Sequence, residues 1–312
     1  MTVQPMRLDF VIPVYNEGPS LDGFHAGLLE ALAALPCDLR FLYVNDGSTD
    51  DTAKILAALA LADPRVAPIT LSRNFGHQAA LSAGLAAASA DAVVMLDGDG
   101  EHPPALIPEM VRLFQAGYDV VQTQRLDHGL RFKRASGAAF YWLINRLGET
   151  RIAEGAADFR LLSRDAVHAL RQLPEYHRFY RGMVEWIGFR SVTLPYTPSP
   201  RLAGRSKYSL RKMLRLAGDG MFSFSLAPLR LAIVMGLLFL VMLAVEIVYV
   251  LSYWVRGTER ALVPGWSSLM LMLTMSSGIS MILLGILGFY VGMIFQEVKR
   301  RPVYVVRPEP KR

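Results

Sequence analysis

Hydrophobic residues in the first half of the chain form short runs that alternate with longer segments of mixed character. Four of these runs, residues 8–13, 39–44, 66–71 and 92–96, are short and apolar enough to predict buried strands. Each is followed by a turn and then by a segment with the capping residues or apolar spacing of a helix. Strands that alternate with helices in this way predict an α/β domain with a mostly parallel, doubly wound sheet and helices on both faces.

Polar residues stand where three of the predicted strands end. They are the loop from Pro13 to Glu17, Asp46 and Asp97. In doubly wound sheets, ligands bind in the crevice beyond the carboxyl ends of the strands, so we expect these residues to share one site. The sequence has no Gly-x-Gly-x-x-Gly after the first strand and no Walker-type Gly-Lys-Ser/Thr, which argues against a dinucleotide-binding motif and a P-loop.

The fourth predicted strand ends in the acidic sequence Leu96-Asp-Gly-Asp-Gly-Glu-His-Pro103. In an extended backbone, Asp97 and Asp99 point to the same side because alternate residues share a face. Mg²⁺ takes oxygen ligands and is usually held by one or two carboxylates together with substrate phosphates. The pattern therefore predicts a divalent-cation site at Asp97 and Asp99, with a solvated acidic turn as the alternative. His77 and His102 have no second ligand at zinc spacing and are interpreted as structural or capping residues.

Residues 226–295 are almost continuously apolar, which explains why the whole chain is 52% hydrophobic with a mean hydropathy of +0.29. Two stretches, 229–255 and 266–295, each exceed the ~20 apolar residues that a helix needs to cross a bilayer. Basic residues flank both stretches, namely Arg211, Lys212, Arg215 and Arg230 before the first and Lys299, Arg300 and Arg301 after the second. The positive-inside tendency predicts two spans with both termini in the cytosol, although the loop 256–265 holds two Arg and one Glu.

The net charge of +6 and the pI near 9.5 are compatible with nucleic acid or with an anionic membrane surface as a partner. Because the basic residues cluster beside the apolar segments, we expect a membrane and no nucleic acid. Residues 208–224 have the basic amphipathic pattern of an interfacial helix, whereas residues 132–147 fit either a membrane surface or the core. A single cysteine, Cys37, excludes an internal disulfide and fits a reducing compartment.

Four motifs follow one another in the first third of the chain: Val11-Ile-Pro-Val-Tyr-Asn-Glu17, Val44-Asn-Asp-Gly-Ser-Thr-Asp50, Ser72-Arg-Asn-Phe-Gly-His-Gln78 and Leu96-Asp-Gly-Asp-Gly-Glu-His-Pro103. Together with three later motifs, they resemble the successive signatures of family 2 glycosyltransferases with the GT-A fold. The other three, Asp158-Phe-Arg-Leu-Leu-Ser163, Arg178-Phe-Tyr-Arg-Gly182 and Gly204-Arg-Ser-Lys-Tyr208, resemble the polyprenyl-phosphate branch of that family. This branch includes dolichol-phosphate mannose synthases and bacterial undecaprenyl-phosphate (bactoprenol) glucosyl and aminoarabinosyl transferases.

The resemblance covers nearly the whole chain and implies how the chain is organised. It implies a cytosolic GT-A, Rossmann-like catalytic domain at residues 1–206, an amphipathic interfacial region at 207–228, a two-helix transmembrane anchor at 229–298 and a basic cytosolic tail at 299–312. The first residues contain no apolar signal-peptide core, which also places the globular part in the cytosol. The expected location is the inner (plasma) membrane.

The resemblance also implies a donor site. Pro13, Tyr15 and Glu17 match the residues that hold the donor nucleoside, Asp46 matches a residue that contacts the base, and Arg201 and Lys207 match basic residues that close over the donor. Asp97 and Asp99 match the Asp-x-Asp motif, which binds the donor diphosphate through Mg²⁺ or Mn²⁺. Glu101, which stands where relatives often have Gln, is a third oxygen ligand. Simpler roles stay open: Asp46 as a turn or capping residue, and Arg201 and Lys207 as contacts for lipid headgroups.

Arg125 and Arg134 match residues near the acceptor phosphate, with a solvated basic face as the alternative. A polyprenyl phosphate is already an anion at neutral pH, so the enzyme has to position it more than deprotonate it. Asp158 is therefore a candidate catalytic residue that orients the acceptor or the sugar, and base catalysis is the less favoured role.

The activity implied is inverting, metal-dependent transfer of one sugar from a UDP- or GDP-linked donor to undecaprenyl or dolichyl phosphate at the cytosolic face of the membrane. Two spans are too few to build a polysaccharide channel, which argues against a processive synthase. Relatives form tetramers, and Gly288 and Gly292 form a small-xxx-small pair that permits close helix contact. The alternative is a non-catalytic membrane scaffold or flippase-associated subunit that keeps the fold. It is disfavoured by the intact Asp97, Asp99, Arg201 and Lys207.

Overall fold

The computed structural model describes residues 5–126, 156–197, 227–255 and 265–308. It divides into two compact units, Met1–Gly220 with Arg301–Arg312, and Met221–Arg300. Three of the predicted site residues, Arg134, Arg201 and Lys207, lie outside the described residues. So do the segment 132–147 and the interfacial region up to residue 226. Their roles stay predictions.

The first unit is built on a seven-stranded sheet with the order β3-β2-β1-β4-β6-β5-β7. Its strands are β1 (Met6–Val14), β2 (Cys37–Asn45), β3 (Val66–Thr70), β4 (Ala92–Met95), β5 (Val120–Arg125), β6 (Ala156–Ser163) and β7 (Ser191–Tyr196). Every neighbouring pair is parallel except the two made by β6, which runs antiparallel to β4 and to β5. The predicted mostly parallel sheet is confirmed, and the antiparallel strand is an addition to it.

Helices connect these strands. They are α1 (Gly18–Leu32), α2 (Thr52–Ala62), α3 (His77–Ala87), α4 (Ile107–Gln115), α5 (Arg164–Gln172) and α6 (Tyr180–Trp186), with a 3₁₀ turn at Pro104–Leu106. Ser163 begins α5, because its hydroxyl oxygen accepts a hydrogen bond from the backbone N–H of Ala166 at 3.2 Å. The helices cover the sheet, and all four residues of β4 and the last seven of β1 are buried.

The centre of the sheet is buried on both faces. Phe10 and Ile12 of β1 belong to the same buried cluster as Leu21 of α1, and the adjacent residue Val11 lies against α3. A strand covered on both faces favours apolar residues at successive positions, which is why residues 10–14 of β1 form a continuous apolar run. The contact with α3 is so close that a Cβ added at Gly84 would lie 2.3 Å from Cγ1 of Val11.

The last described residues, 301–308, return to the sheet at its β3 edge; we call them the C-terminal segment. Val306 forms an antiparallel bridge with Leu71, the residue after β3. The N–H of Ser72 donates to the carbonyl of Val305 at 2.8 Å, and the N–H of Arg307 donates to the carbonyl of Thr70 at 2.7 Å. The sequence pattern indicates only a basic tail here, so this pairing is new information.

The second unit contains two long helices, α7 (Ala227–Val255, 29 residues) and α8 (Trp266–Lys299, 34 residues). Apolar side chains such as Val248, Met281 and Ile282 are 64 to 69% exposed. Within the described residues, one stretch, Met275–Lys299, is long and apolar enough to cross a membrane. The predicted first span coincides with α7 in position, and its crossing of a membrane stays a proposal.

Candidate active site

Hydrogen bonds connect the two loops at the carboxyl ends of β1 and β2. The N–H of Asn16 donates to the hydroxyl of Ser48 at 3.0 Å, and the side-chain oxygen of Asn16 accepts from the N–H of Thr49 at 2.9 Å. The N–H of Glu17 donates to the hydroxyl of Thr52 at 3.1 Å. Asn16 has a φ of 54°, a left-handed conformation that Asn tolerates well. These bonds fix the loop that carries Tyr15 and Glu17.

Asp46, the first residue after β2, is buried and anchors a third loop, residues 72–76. Its carboxylate oxygens accept hydrogen bonds from the N–H groups of Phe75 at 2.7 Å and Gly76 at 2.9 Å. Burial raises the pKa of Asp46, and these two N–H groups partly offset the rise. Next to it, Gly47 has a φ of +66° and lies so close to the 72–76 loop that an added Cβ would lie 2.3 Å from the carbonyl carbon of Arg73. Asp46 therefore has a structural role, whatever it contributes to donor binding.

Asp97 lies just beyond the end of β4, between two histidines. Its Oδ1 is 2.7 Å from Nε2 of His77, and its N–H donates to Nδ1 of His102 at 3.0 Å. Desolvation of the His77 ring opposes its positive charge, but the carboxylate of Asp97 outweighs this effect and raises the pKa of His77 to about 9. Burial opposes ionisation of Asp97 as well, yet the positive charge of His77 holds its pKa below the usual value. The pair is thus an imidazolium and a carboxylate at neutral pH.

The rest of the acidic loop, residues 97–101, concentrates negative charge. Burial, together with the nearby carboxylates of Asp97 and Glu101, raises the pKa of Asp99. Oδ1 of Asp99 accepts a hydrogen bond from the N–H of Glu101 at 3.0 Å, which closes the turn. Gly98 keeps this loop against the end of β1, since a Cβ there would lie 2.7 Å from Cγ1 of Val14.

Glu101 forms an ion pair with Arg125, the last residue of β5. Nη1 of Arg125 lies 3.1 Å from Oε2 of Glu101. The contact joins a predicted metal ligand to a predicted acceptor-binding residue. It therefore brings the two predicted subsites to one place.

The residues present fit a divalent cation that is bound together with a phosphate group. Among the described residues, no three His, Cys, Asp or Glu side chains are grouped as a ready metal site. Mg²⁺, however, is usually held by one or two carboxylates plus the phosphates of a substrate. The raised pKa of Asp99 reflects, after burial, repulsion among carboxylates that a cation would relieve.

Asp158, on β6, is buried and accepts hydrogen bonds from two arginines. Arg181 of α6 donates from Nε to Oδ1 at 3.1 Å and from Nη2 to Oδ2 at 2.9 Å, a two-pronged contact. The fully buried Arg160 adds a third bond to Oδ1 at 3.3 Å. Burial opposes ionisation, but Arg181 and its neighbours hold the pKa of Asp158 far below the usual range. Asp158 is therefore a charged acceptor of hydrogen bonds and a very weak base.

Tyr180, the residue before Arg181, is hydrogen-bonded to α3. The N–H of Tyr180 donates to the side-chain oxygen of Gln78 at 3.1 Å, and the hydroxyl of Tyr180 donates to Ser82 at 2.9 Å. The charges of Asp158 and Arg181 also act on His77. The acidic loop, α3 and α6 thus form one cluster of charges at the carboxyl end of the sheet.

The sequence profile of glycosyl transferase family 2 matches residues 9–170. The chain belongs to this family. It is 39% identical to the uncharacterized glycosyltransferase YkcC of Bacillus subtilis (strain 168) over 97% of this chain and 94% of that protein. It is 36% identical to the bactoprenol glucosyl transferase of Shigella phage SfII over 97% of this chain and 98% of that protein. The protein is a glycosyltransferase.

Among solved structures, glucosyl-3-phosphoglycerate synthase from Mycobacterium tuberculosis, in complex with Mn²⁺, uridine-diphosphate and phosphoglyceric acid, is similar with a TM-score of 0.49. It is 19% identical, over 68% of this chain and 75% of that chain. A likeness at this level is too distant to support an argument about ligands.

The structure brings most of the predicted site residues of this glycosyltransferase to one edge of the sheet. These are Tyr15, Glu17, Asp46, Asp97, Asp99, Glu101, Arg125 and Asp158. Pro13 is buried inside β1, paired with Val44 of β2, so its side chain belongs to the wall below the loops.

Two residues of the cluster, His77 and Arg181, are not predicted as site residues from the sequence. Both stand in motifs of the family. Their importance follows from contacts with Asp97 and Asp158, which lie 20 and 23 positions away in the chain. The available signal is that each of these two motifs contains a titratable side chain, His77 in one and Arg181 in the other.

Proposed function

We propose that this glycosyltransferase transfers a single sugar from a UDP- or GDP-linked donor to a polyprenyl phosphate, with inversion at the anomeric carbon, at the cytosolic face of the membrane. The observation that carries the proposal is the acidic loop, with Asp97 and Asp99 at the carboxyl end of β4 beside the loops of β1 and β2. Relatives named bactoprenol glucosyl transferases, similar over nearly the full chain, support the lipid acceptor.

The donor site is proposed at the carboxyl ends of β1, β2 and β4. Tyr15 and Glu17 border the nucleoside, Asp46 lies at the base, and Asp97 and Asp99 face the diphosphate. Mg²⁺ or Mn²⁺, held by the acidic loop, supplies positive charge to the leaving diphosphate. Arg201 and Lys207, outside the described residues, are proposed to close over the same phosphates. Charge develops there as the sugar departs, which is where electrostatic stabilisation is most effective.

The acceptor site is proposed at Arg125, with Arg134 completing it. Arg125 pairs with Glu101 at 3.1 Å in the described structure. An arriving phosphate anion offers the guanidinium a second partner, since its planar fork of donors suits phosphate. Exchange of Arg125 from carboxylate to phosphate would place the acceptor oxygen next to the donor site, in the arrangement that a single displacement requires.

Asp158 is proposed to orient the sugar or the acceptor through its arginines. Its carboxylate is already ionised and held by Arg181 and Arg160, so it is poorly suited to take a proton. A phosphate acceptor does not need strong base catalysis, since it is an anion at neutral pH. The low pKa of Asp158 is therefore compatible with the proposed reaction and argues against a role as general base.

The membrane anchor is proposed to comprise both α7 and α8, with both termini in the cytosol. The candidate span Met275–Lys299 supports one crossing, and the basic residues that flank the helices support the orientation. A homo-oligomer, a tetramer by resemblance, is part of the proposal. Among the described residues, nothing lies within 4 Å of a Cβ added at Gly288 or Gly292, and such small residues permit close approach of another helix.

A transfer assay tests the proposal. Membranes that contain the full-length protein are incubated with undecaprenyl phosphate and each of a panel of radiolabelled UDP- and GDP-sugars, with Mn²⁺ or Mg²⁺. We expect one sugar nucleotide to give a lipid-linked monosaccharide, and the product to disappear with EDTA. If no sugar nucleotide gives a lipid-linked product, the alternative of a non-catalytic scaffold or flippase-associated subunit is favoured.

A further inference from the structure

The C-terminal segment is built into the edge of the first unit. Two backbone hydrogen bonds flank the bridge between Val306 and Leu71, one to the carbonyl of Thr70 and one from the N–H of Ser72. The segment therefore pairs with the backbone at the point where β3 ends and the 72–76 loop begins. A sheet edge that is covered in this way no longer offers those backbone groups to another chain.

Tyr304 adds a side-chain contact to this pairing. It packs against a buried cluster formed by Val44, Leu71, Ala80 and Ala83, and Phe75 of the 72–76 loop packs against the same cluster. The C-terminal segment thus contacts the loop at its start, through Leu71 and Ser72, and shares a packed cluster with its far end.

The same loop also contacts the proposed donor residue. Asp46 holds the N–H groups of Phe75 and Gly76, and Gly47 packs directly on Arg73. The 72–76 loop therefore contacts both Asp46 and the C-terminal segment. A displacement of the loop would also change the position of the Asp46 carboxylate.

We propose that the C-terminal segment sets the affinity for the sugar nucleotide by holding the 72–76 loop, and that Tyr304 and the N–H of Arg307 are positioning elements for Asp46. The inference rests on the proposed donor site, in which Asp46 contacts the nucleotide. Loosening the segment weakens donor binding and leaves the acceptor site, built on β5 and the acidic loop, unchanged.

Two pairs of variants of the full-length enzyme test this proposal. Arg307→Pro removes the N–H that donates to Thr70, whereas Arg307→Ala removes the same charged side chain and keeps that N–H. Tyr304→Ala removes the packed ring, and Tyr304→Phe keeps it. We expect Arg307→Pro and Tyr304→Ala to raise the KM for the sugar nucleotide about two- to tenfold, the loss expected for one hydrogen bond or a partly buried contact. The KM for the lipid and kcat should change less than twofold, and the two control variants should behave like the wild type.

Amide hydrogen exchange supplies a readout that does not depend on activity. In Arg307→Pro, exchange at Ser72, Phe75 and Gly76 should become faster, with exchange in β5 and β7 unchanged. If exchange at the loop is unaltered, or if it accelerates while the donor KM stays constant, the proposal is wrong. Equal losses in kcat and both KM values would also overturn it, because they indicate general damage. Absence of transfer by the wild-type protein would instead refute the proposed function, while the exchange data would still decide whether the segment holds the loop.

Discussion

Nε2 of His77, the first residue of α3, lies 2.7 Å from Oδ1 of Asp97, just beyond the end of β4. The contact places a cationic ring on the carboxylate that we propose as a ligand of the donor's metal ion. Desolvation of the ring disfavours its positive charge, but Asp97 raises the pKa of His77 to about 9. In the proposed site, a divalent cation would have to compete with the imidazolium for Asp97.

Replacing His77 tests this competition. His77→Gln removes the charge and keeps an N–H donor, so we expect the half-saturating Mn²⁺ concentration for sugar transfer to fall about two- to fivefold, which allows for solvent screening at a partly exposed pair. His168→Gln, which changes an exposed histidine on α5, should leave the metal requirement unchanged. An unchanged or higher requirement in His77→Gln would show that His77 assists the metal site.

Asp99 is the residue of the acidic loop on which repulsion by neighbouring carboxylates raises the pKa, after the effect of burial. Asp99→Ala should lower transfer at least about 10²-fold, since it removes a group that holds charge against the leaving diphosphate. Lipid-linked product is measured in membranes that contain matched amounts of protein. Glu109→Ala, a change at a surface carboxylate of α4, should keep full activity. Substantial residual transfer by Asp99→Ala would remove the metal assignment.

The strands of the fold were readable where they are buried on both faces. β1 and β4 are apolar at nearly every position because helices cover both sides of the sheet, so the pattern found them. β5, β6 and β7 are not among the four predicted strands, and β6 in particular departs from the apolar pattern because it carries Asp158 and Arg160, charged residues that are buried in the fold. Its antiparallel pairing with β4 and β5 depends on contacts between distant parts of the chain, which leave no periodic signal.

The site was readable in part for a similar reason. Parallel strands bring their carboxyl ends to one edge, so Asp46 and Asp97 were expected to lie near each other. The groups that set their charges, Phe75 and His77, come from a loop and a helix end, as does Arg181, which sets the charge of Asp158. Nothing in the spacing of such residues indicates which carboxylate each one meets. The docking of Tyr304 was hidden for the same reason.

Arg125 connects the acidic loop to the proposed acceptor site. Arg125→Ala should raise the KM for polyprenyl phosphate about tenfold and the KM for sugar nucleotide much less, because a charge-assisted bond to the lipid phosphate is lost. Arg125→Lys should recover part of the loss, since it keeps the charge without the fork. Glu101→Gln weakens the ion pair and keeps Arg125, so it should not raise the lipid KM.

Arg134→Ala is expected to show the same preference for the lipid KM. Steady-state kinetics with each substrate varied in turn give both KM values. A larger effect on the sugar nucleotide would place Arg134 in the donor site.

Asp158 neutralises two arginines, one of them fully buried. Asp158→Asn leaves Arg160 and Arg181 without their counter-charge, and removing one partner of a buried pair costs on the order of 3 kcal/mol. We expect a Tm several degrees lower and loss of transfer. The double variant with Arg181→Gln should be less destabilised than the sum of the two single variants, because the unpaired charge is then removed. Strict additivity would mean that the two residues do not act as a pair.

His25 gives the catalytic unit a stability that depends on pH. It is buried on α1, with Nδ1 3.0 Å from the hydroxyl of Tyr43 and Nε2 3.6 Å from Oδ2 of Asp63. Burial lowers the pKa of His25 below 6.5 despite the opposing effect of Asp63, while Arg65 lowers it further and Asp22 raises it slightly. The unfolded chain therefore takes up a proton at a pH where the folded chain does not. The stabilisation is complete above about pH 6.5 and is lost as the pH falls below that value.

His25→Gln removes this titration and keeps a polar group beside Tyr43. Between about pH 7 and pH 5.5, the Tm of the detergent-solubilised wild type should fall more steeply than that of His25→Gln. The extra loss in free energy of unfolding approaches about 1.4 kcal/mol for each unit by which folding lowers the pKa of His25. His168→Gln, at an exposed position, should keep the wild-type slope. If His25→Gln and the wild type lose stability in parallel, the neutral form of His25 is not what the fold requires, and the acid sensitivity belongs to other groups.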